Sequence, residues 1–479
     1  MTVQAASTPL TAIGPGKVVR LSVGKETPPG ILEVLERVAR EPFVESVLAL
    51  PDLHWKPDME VPSSLAITTR DTLVPEFTSM DVNDGMGVIP TGLGERDVTR
   101  ERLGALFASL AAHSASWHFD RNRYSLSADE LRATLSSGAR ALLERYRMSE
   151  EVAGAFEDGG RVPVAAAGAP SLLEVVPFQL LHTTFTRSEM GLNFGGNHFL
   201  EVQVVDEVRD PVVARRWGLE RGQVVVMYHL GPGPFSATLL NHYSRRGKLT
   251  PKRVPLYFCS KLLFHYLQRM GRGSLARKWE LHFRRNGWTA YPAASEEGRL
   301  LREAMAMAIN FGYAYRLATV RAVADGLGEV FSPTLAWRLL CDVSHNGVEE
   351  RREGGGVSFV ARHNACRLAG GQPTIVAGMY DVPSFLGIAA SEVDARLSSY
   401  DHGAGHLIEI ARRHDRLSAG VGEMTRYRMT RGRSARLVSQ DVMPIRSAER
   451  IERLMECFDR QRMMHAVVRL RPLGNMKNG

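Results

Sequence analysis

Four cysteines in 479 residues are too few and too scattered to organise this chain. Cys259, Cys341, Cys366 and Cys457 suggest neither a zinc knuckle nor a disulfide framework. Long hydrophobic runs are missing as well. No apolar stretch could span a bilayer, and the opening MTVQAASTPLTAIGPGK has no signal-peptide core. Internal repeats, heptad arrays and low-complexity tails are absent too, which removes the solenoid and coiled-coil classes. The expectation is a soluble cytoplasmic protein with no membrane partner.

What is present is an ordinary globular composition with a basic excess. Hydrophobic residues at 44% allow a substantial core, in one large domain or two to three smaller ones. The formal charge of +8 and the pI near 9.4 suit a polyanionic partner. The excess is clustered in SRRGKLTPKR (244–253), RGSLARKWELHFRRNGW (272–288) and TRYRMTRGRSAR (425–436). Arginines mixed with aromatics suit a surface that contacts phosphates and bases, although a solvated basic face has the same composition.

Periodicity predicts interleaved helices and strands without a regular βαβ rhythm, hence an α+β fold. Residues 32–57 read as a helix, the strand VESVLALP and the loop PDLHWKPD. Residues 100–160 read as mostly helical, with Leu103, Leu106, Phe107 and Leu110 on one face and a capping box from Ser127 to Glu130. GRVPVAAAGAP (160–170) reads as an exposed connection, and 240–290 as a basic helical segment. HFLEVQVV (198–205), QVVVMYHL (223–230) and the final VVRLRPLG are predicted strands, and 295–325 a long helix. Ser332-Pro333 predicts one more helix, running into DVSHN.

The polar residues placed oddly sit at element ends: Asp81 and Asp84 in MDVNDGMG, His198 in GGNHFLE, His229 in YHLGPG and His345 in SHNG. Carboxylates and neutral imidazoles are ligands for zinc, manganese or iron, and two aspartates three apart beside a glycine turn can face one cavity. A two-metal site would stabilise both oxygens of a phosphoryl transfer. The spacing matches no local metal motif, and any one histidine taken alone reads better as structural. SYDHGAGH (399–406) is read in two ways: as a glycine turn, or as a place where glycines let a large ligand approach His402.

ALPDLH, GGNHFLEVQ, YHLG, the SEEG…AMAMAINFGYAYR helix, SHN, YDHGAGH and VVRLRPLGNMKNG occur together and in order. This set resembles the RtcB family of nucleic-acid ligases, from about residue 45 to the C-terminus. The resemblance implies one complex α+β domain over 1–479, built around a dinuclear metal cavity. It implies GTP and two Mn²⁺ ions, with Mg²⁺ as the substitute. The implied partner is an RNA, or alternatively a DNA, carrying a 3′-phosphate or 2′,3′-cyclic phosphate, to be joined to a 5′-hydroxyl. Whether an activating protein takes part is left open.

Carried over residue by residue, the resemblance implies that His402 becomes guanylylated and passes GMP to the 3′-phosphate, after which the enzyme either seals that end or stops at the capped end. Asp81, Asp84 and His198 would hold one metal, and Asp84, His229 and His345 the other. Asn197, Glu201, Ser384, Ala404 and Lys477 would contact the nucleotide.

The chain departs from the family pattern in several places. Asp84 replaces a cysteine, which moves the metal preference from zinc toward Mn²⁺ or Mg²⁺. Gly87, Gly233 and His406 stand where arginines are usual, His363 replaces a lysine and Asp381 a glycine, while Arg362 and Arg367 remain. Arginine is the residue best suited to bidentate phosphate recognition, so these departures fall on end-sealing more than on metal or GTP binding. Two alternatives follow: a two-metal phosphoesterase that does not need His402, or a nucleic-acid-binding paralogue without turnover.

Overall fold

The computed structural model describes residues 11–13, 17–23, 30–56, 59–113, 122–164, 172–188, 190–192, 194–244, 259, 288–353, 356–391, 398–430 and 437–478. The β-branched runs VQVV and VVVM form strands buried on both faces, Phe199–Val208 and Gln223–Leu230. They lie inside a nine-stranded sheet. Its order from one edge is Cys341–Ser344, Gly85–Gly94, Gln223–Leu230, Phe199–Val208, Met464–Asn478, Ser384–Ala389 and Pro373–Val376. Every pairing along that path is antiparallel. Ala419–Met429 adds to Met464–Asn478 in parallel and carries Leu437–Arg446 on its far side.

A second sheet of six strands contains Val44–His54, Ser63–Arg70, Gly356–His363 and Asn346–Glu353. Helices cover the nine-stranded sheet. The long helix Glu296–Val330 packs with Arg100–His113 and Ala128–Ser137 in one apolar cluster. Gly405–Arg413 and Glu449–Arg460 contribute to a second cluster. The result is α+β, as the interleaved periodicities predict.

The capping box forms as expected. Glu130 N donates to Ser127 Oγ at 3.1 Å, and Ser127 N donates to Glu130 Oε2 at 2.6 Å. The described residues of 100–160 are mostly helical, and the predicted strands at 198–205 and 223–230 are strands. No described helix is long and apolar enough to cross a membrane.

Three expectations need correction. Ser332-Pro333 starts no helix. Residues 336–340 run extended beside Gly85–Gly94, with Gly92 N donating to Ala336 O at 2.8 Å and Leu340 N to Val88 O at 2.9 Å. Edge pairing overrides the local cap signal there. His345 accordingly sits between two strands, Cys341–Ser344 and Asn346–Glu353, and not at a helix end. Thirdly, PDLH belongs to the strand Val44–His54 and not to a loop. The basic helical segment predicted over 240–290 falls largely outside the described residues, as do 165–170 of the predicted connection.

Candidate active site at the sheet end

Sheet register brings distant residues together. Ser344 pairs with Gly85, Gly85 with Leu230, and His229 with Phe199. Asp84, His198, His229 and His345 adjoin or end these four neighbouring strands, so all four project from the same end of the sheet. His198 Nε2 lies 3.0 Å from Asp84 Oδ2, His345 Nε2 3.4 Å and His229 Nε2 3.8 Å. The His229 and His345 Nε2 atoms are 3.2 Å apart. His402 completes the group, its ring stacked on His345 with centroids 4.5 Å apart.

The loop before Gly85 is held from beneath. Asn83 has a left-handed backbone (φ 60°), and its side-chain Nδ2 donates to Ile309 O of the long helix at 2.5 Å. Arg316 of the same helix donates to Asn83 O and forms a fully buried ion pair with Asp342 at 2.7 Å. Tyr228 Oη donates to the same Asp342 at 2.6 Å. Gly231 must be glycine, because a Cβ there would lie 2.6 Å from Asp84 Cα.

His402 is aimed by its backbone surroundings. Asn364 O, which can only accept, lies 3.1 Å from His402 Nδ1, so that nitrogen carries the proton and Nε2 keeps its lone pair. Burial first, then the neighbouring His345 and Lys56, hold the imidazole well below its ordinary range. The following helix Gly405–Arg413 is capped by Asp52, whose carboxylate accepts from His406 N at 3.2 Å and Leu407 N at 2.8 Å. Burial raises Asp52 to about 7 despite those donors. His54, held near pKa 4 chiefly by burial, stacks on His406 at 4.4 Å.

Asp84 is buried, which alone would raise its pKa, but His198 and His345 hold it well below the usual range. Burial lowers His229 and His345, leaving neutral imidazoles. Asp84 Oδ1 and His345 Nδ1 are buried without a hydrogen-bond partner. A low-lying carboxylate, lone pairs converging from several imidazoles and an orphaned acceptor fit a divalent cation. Two sets of donor atoms lie within 4.8 Å of one another: Asp84 with His198 and His229, and His229 with His345 and His402. Asp81 is in neither. It is half-buried beside Asp84, and a Cβ on Gly233 would lie 2.8 Å from its Oδ1. Lys56 is a component that sequence reading missed. It is half-buried, and its charge acts on Asp84, Asp81 and Asp52.

The other expected residues separate into two groups. Glu201, Ser384 and Lys477 gather on one sheet face. Glu201 accepts from Gln203 at 2.7 Å and Asn475 at 2.8 Å, and burial raises it to about 8. Ser384 Oγ accepts from Gly378 N at 2.9 Å and Gln203 Nε2 at 3.2 Å. Ala404 is buried beneath the His402 turn, and Asn197 is exposed one residue before His198. The retained arginines are occupied. Arg362 pairs with Glu349 at 2.7 Å, and Arg367 with Asp158 at 2.6 Å and Glu157 at 3.3 Å.

An α+β sheet whose strand ends converge on a carboxylate ringed by imidazoles defines a class of histidine-rich, metal-competent centre. The comparisons narrow it. The family described as tRNA-splicing ligase RtcB matches residues 34–478, and this chain belongs to that family. It is 28% identical over 422 residues to the tRNA-splicing ligase RtcB of Pyrococcus abyssi, covering 82% of this chain and 42% of that protein. The tRNA-splicing ligase RtcB of Thermococcus kodakarensis is 26% identical over 475 residues, covering 93% of this chain and 90% of that protein. The RNA-splicing ligase RtcB of Mycobacterium tuberculosis is 26% identical, covering 91% and 97%.

Proposed function

We propose that the chain is an RNA ligase that guanylylates His402, transfers GMP to an RNA 3′-phosphate and joins that end to a 5′-hydroxyl. The observation that carries this reading is His402 itself. It is a neutral imidazole with Nδ1–H held by Asn364 and Nε2 free, stacked against the Asp84–histidine cluster. Such a nitrogen is an activated nucleophile.

The chemistry proceeds by three displacements at phosphorus. His402 Nε2 attacks the α-phosphorus of GTP, and the bond to the bridging oxygen breaks to release pyrophosphate. An oxygen of the RNA 3′-phosphate then attacks the same phosphorus and breaks the P–N bond. Finally the 5′-hydroxyl oxygen attacks the 3′-phosphate, loses its proton and expels GMP. Asp84, His198, His229 and His345, with Asp81 beside them, would hold manganese or magnesium, which supplies Lewis-acid stabilisation of charge on the phosphoryl oxygens. Lys56 adds a fixed positive charge beside these residues, and Asn364 keeps the His402 tautomer. Glu201, Ser384 and Lys477 would orient the nucleotide, with Asn197 and Ala404 at its edges.

The test is incubation with α-labelled GTP and Mn²⁺, followed by denaturing electrophoresis. An acid-labile labelled band that vanishes in His402→Ala is expected. Folded protein that never takes label, with manganese or magnesium, would sink the covalent step. RNA 3′-end hydrolysis surviving in His402→Ala would favour the phosphoesterase.

A further inference from the structure

The turn that carries His345 is bonded to both halves of the centre. His345 N donates to Asp84 O at 2.9 Å, and Asn346 O accepts from Asn83 N at 2.7 Å. Those two bonds hold the loop that bears Asp84. On the other side, His345 O accepts from Ala365 N at 2.9 Å, and Asn346 Oδ1 accepts from Asn364 N at 2.8 Å. Those two hold the residue whose carbonyl lies 3.1 Å from His402 Nδ1. Asn346 therefore reaches the Asp84 loop through its main chain and the support of His402 through its side chain.

Asn364 needs that support. Its backbone is left-handed (φ 51°), a conformation that a residue other than glycine keeps only where its surroundings fix it. Asn364 Nδ2 donates to Ser63 Oγ at 2.5 Å, which is a second tie, and both asparagines are buried. A neutral imidazole has one N–H, and the partner of one ring nitrogen decides the state of the other. A ring released from Asn364 O is free to carry its proton on Nε2, where it removes the lone pair that attacks phosphorus.

We propose that Asn346 is a positioning residue for guanylylation: its side chain fixes the Asn364 carbonyl that keeps the His402 proton on Nδ1, while its main chain holds the Asp84 loop in the same frame. The inference rests on the reading of His402 as the nucleophile. Asn346 acts through Asn364 and Asn83, and not on the substrate.

Imidazole ¹⁵N spectra of the full-length, histidine-labelled protein with Mg²⁺, which is diamagnetic, read the tautomer, and His402→Ala assigns the His402 signals. Wild type should show His402 protonated at Nδ1. Asn346→Ala should move the population toward Nε2–H and slow labelling of His402 by α-labelled GTP about 10- to 100-fold, with the KM for GTP little changed. Its thermal midpoint should still rise with Mn²⁺, because the carbonyl that holds Asn83 remains. Asn346→Asp, which keeps an acceptor oxygen, should recover most of the tautomer and of the rate. Ser63→Ala cuts the other tie and should give a smaller shift in the same direction. It decides the matter should Asn346→Ala fail to fold, and an unmoved tautomer in it would then count against the proposal. A folded Asn346→Ala protein with His402 still protonated at Nδ1 would overturn the proposal, and so would a loss confined to GTP affinity. A tautomer that shifts as expected in a chain that never takes label would sink the covalent step and leave the positioning role standing. Normal labelling with an unmoved tautomer would do the reverse.

Discussion

At the scale of single residues, the departures from the family pattern are not interchangeable. Restoring a side chain at Gly87 is predicted to fail. A Cβ there overlaps the Tyr228 phenol, which is fixed by its bond to Asp342. Gly87→Ala should cost about 1–3 kcal/mol as overpacking, visible in chemical denaturation, and Gly87→Arg should not fold. Glu201 has a different signature. Its pKa rises from 4.5 to about 8, so between those values the folded chain holds a proton that the unfolded chain releases. Stability from this group is therefore full below pH 4.5, falls as pH rises to about 8 and is flat above. Glu201→Gln should flatten the thermal midpoint across that window, and an unchanged slope would contradict the assignment.

The clustered aspartate and histidines were legible as suspicious polar residues at strand ends, because a histidine or aspartate closing an apolar run is conspicuous. What joined them was the register of four strands, which no local spacing encodes. Lys56 carried no signal, since a lysine after His54-Trp55 reads as solvated surface. Arg362 and Arg367 looked like free phosphate contacts. Their consumption by Glu349, Glu157 and Asp158 depends on tertiary neighbours, of which Asp158 lies 209 residues from Arg367.

At the scale of elements, two helices position the site from opposite sides. Gly405–Arg413 starts three residues past His402 and depends on Asp52 for its first-turn N–H groups. Asp52→Ala should lower stability by about 1–2 kcal/mol and slow labelling of His402, with Asp52→Asn intermediate. The long helix contributes Arg316. Arg316→Met would strand the Asp342 charge in the core and cost about 3–5 kcal/mol in denaturant titrations. Adding Asp342→Asn should recover part of it, and no recovery would mean that Arg316 acts through Asn83 instead.

Helix caps with reciprocal side-chain bonds were readable because they are local, as at Ser127. The Ser332-Pro333 signal is equally local and misleads, because the exposed edge of Gly85–Gly94 offers that segment a better use for its N–H and C=O groups. Likewise, PDLH reads as a loop from its proline and aspartate, yet it continues a strand whose Asp52 serves a helix more than three hundred residues later.

At the scale of the molecule, the histidine-rich centre should tie metal to stability. Cations that bind only the folded state raise the thermal midpoint, by mass action, with concentration. Mn²⁺ should raise it and a chelator reverse the gain, and Asp84→Ala should abolish the response while leaving a folded protein. An Asp84→Ala variant that responds like the wild type would place the cation elsewhere.

The strand Met464–Asn478 pairs with Phe199–Val208 on one side and with Ser384–Ala389 and Ala419–Met429 on the other. The middle of the sheet is therefore built from residues that follow every other strand of that sheet in the chain. Until they are made the halves on either side have no shared edge, and the pairings that join the two halves must wait. Assembly of the site thus waits on this one strand: a nascent chain that stops short of it has the histidines but not the strand that aligns them with Lys477.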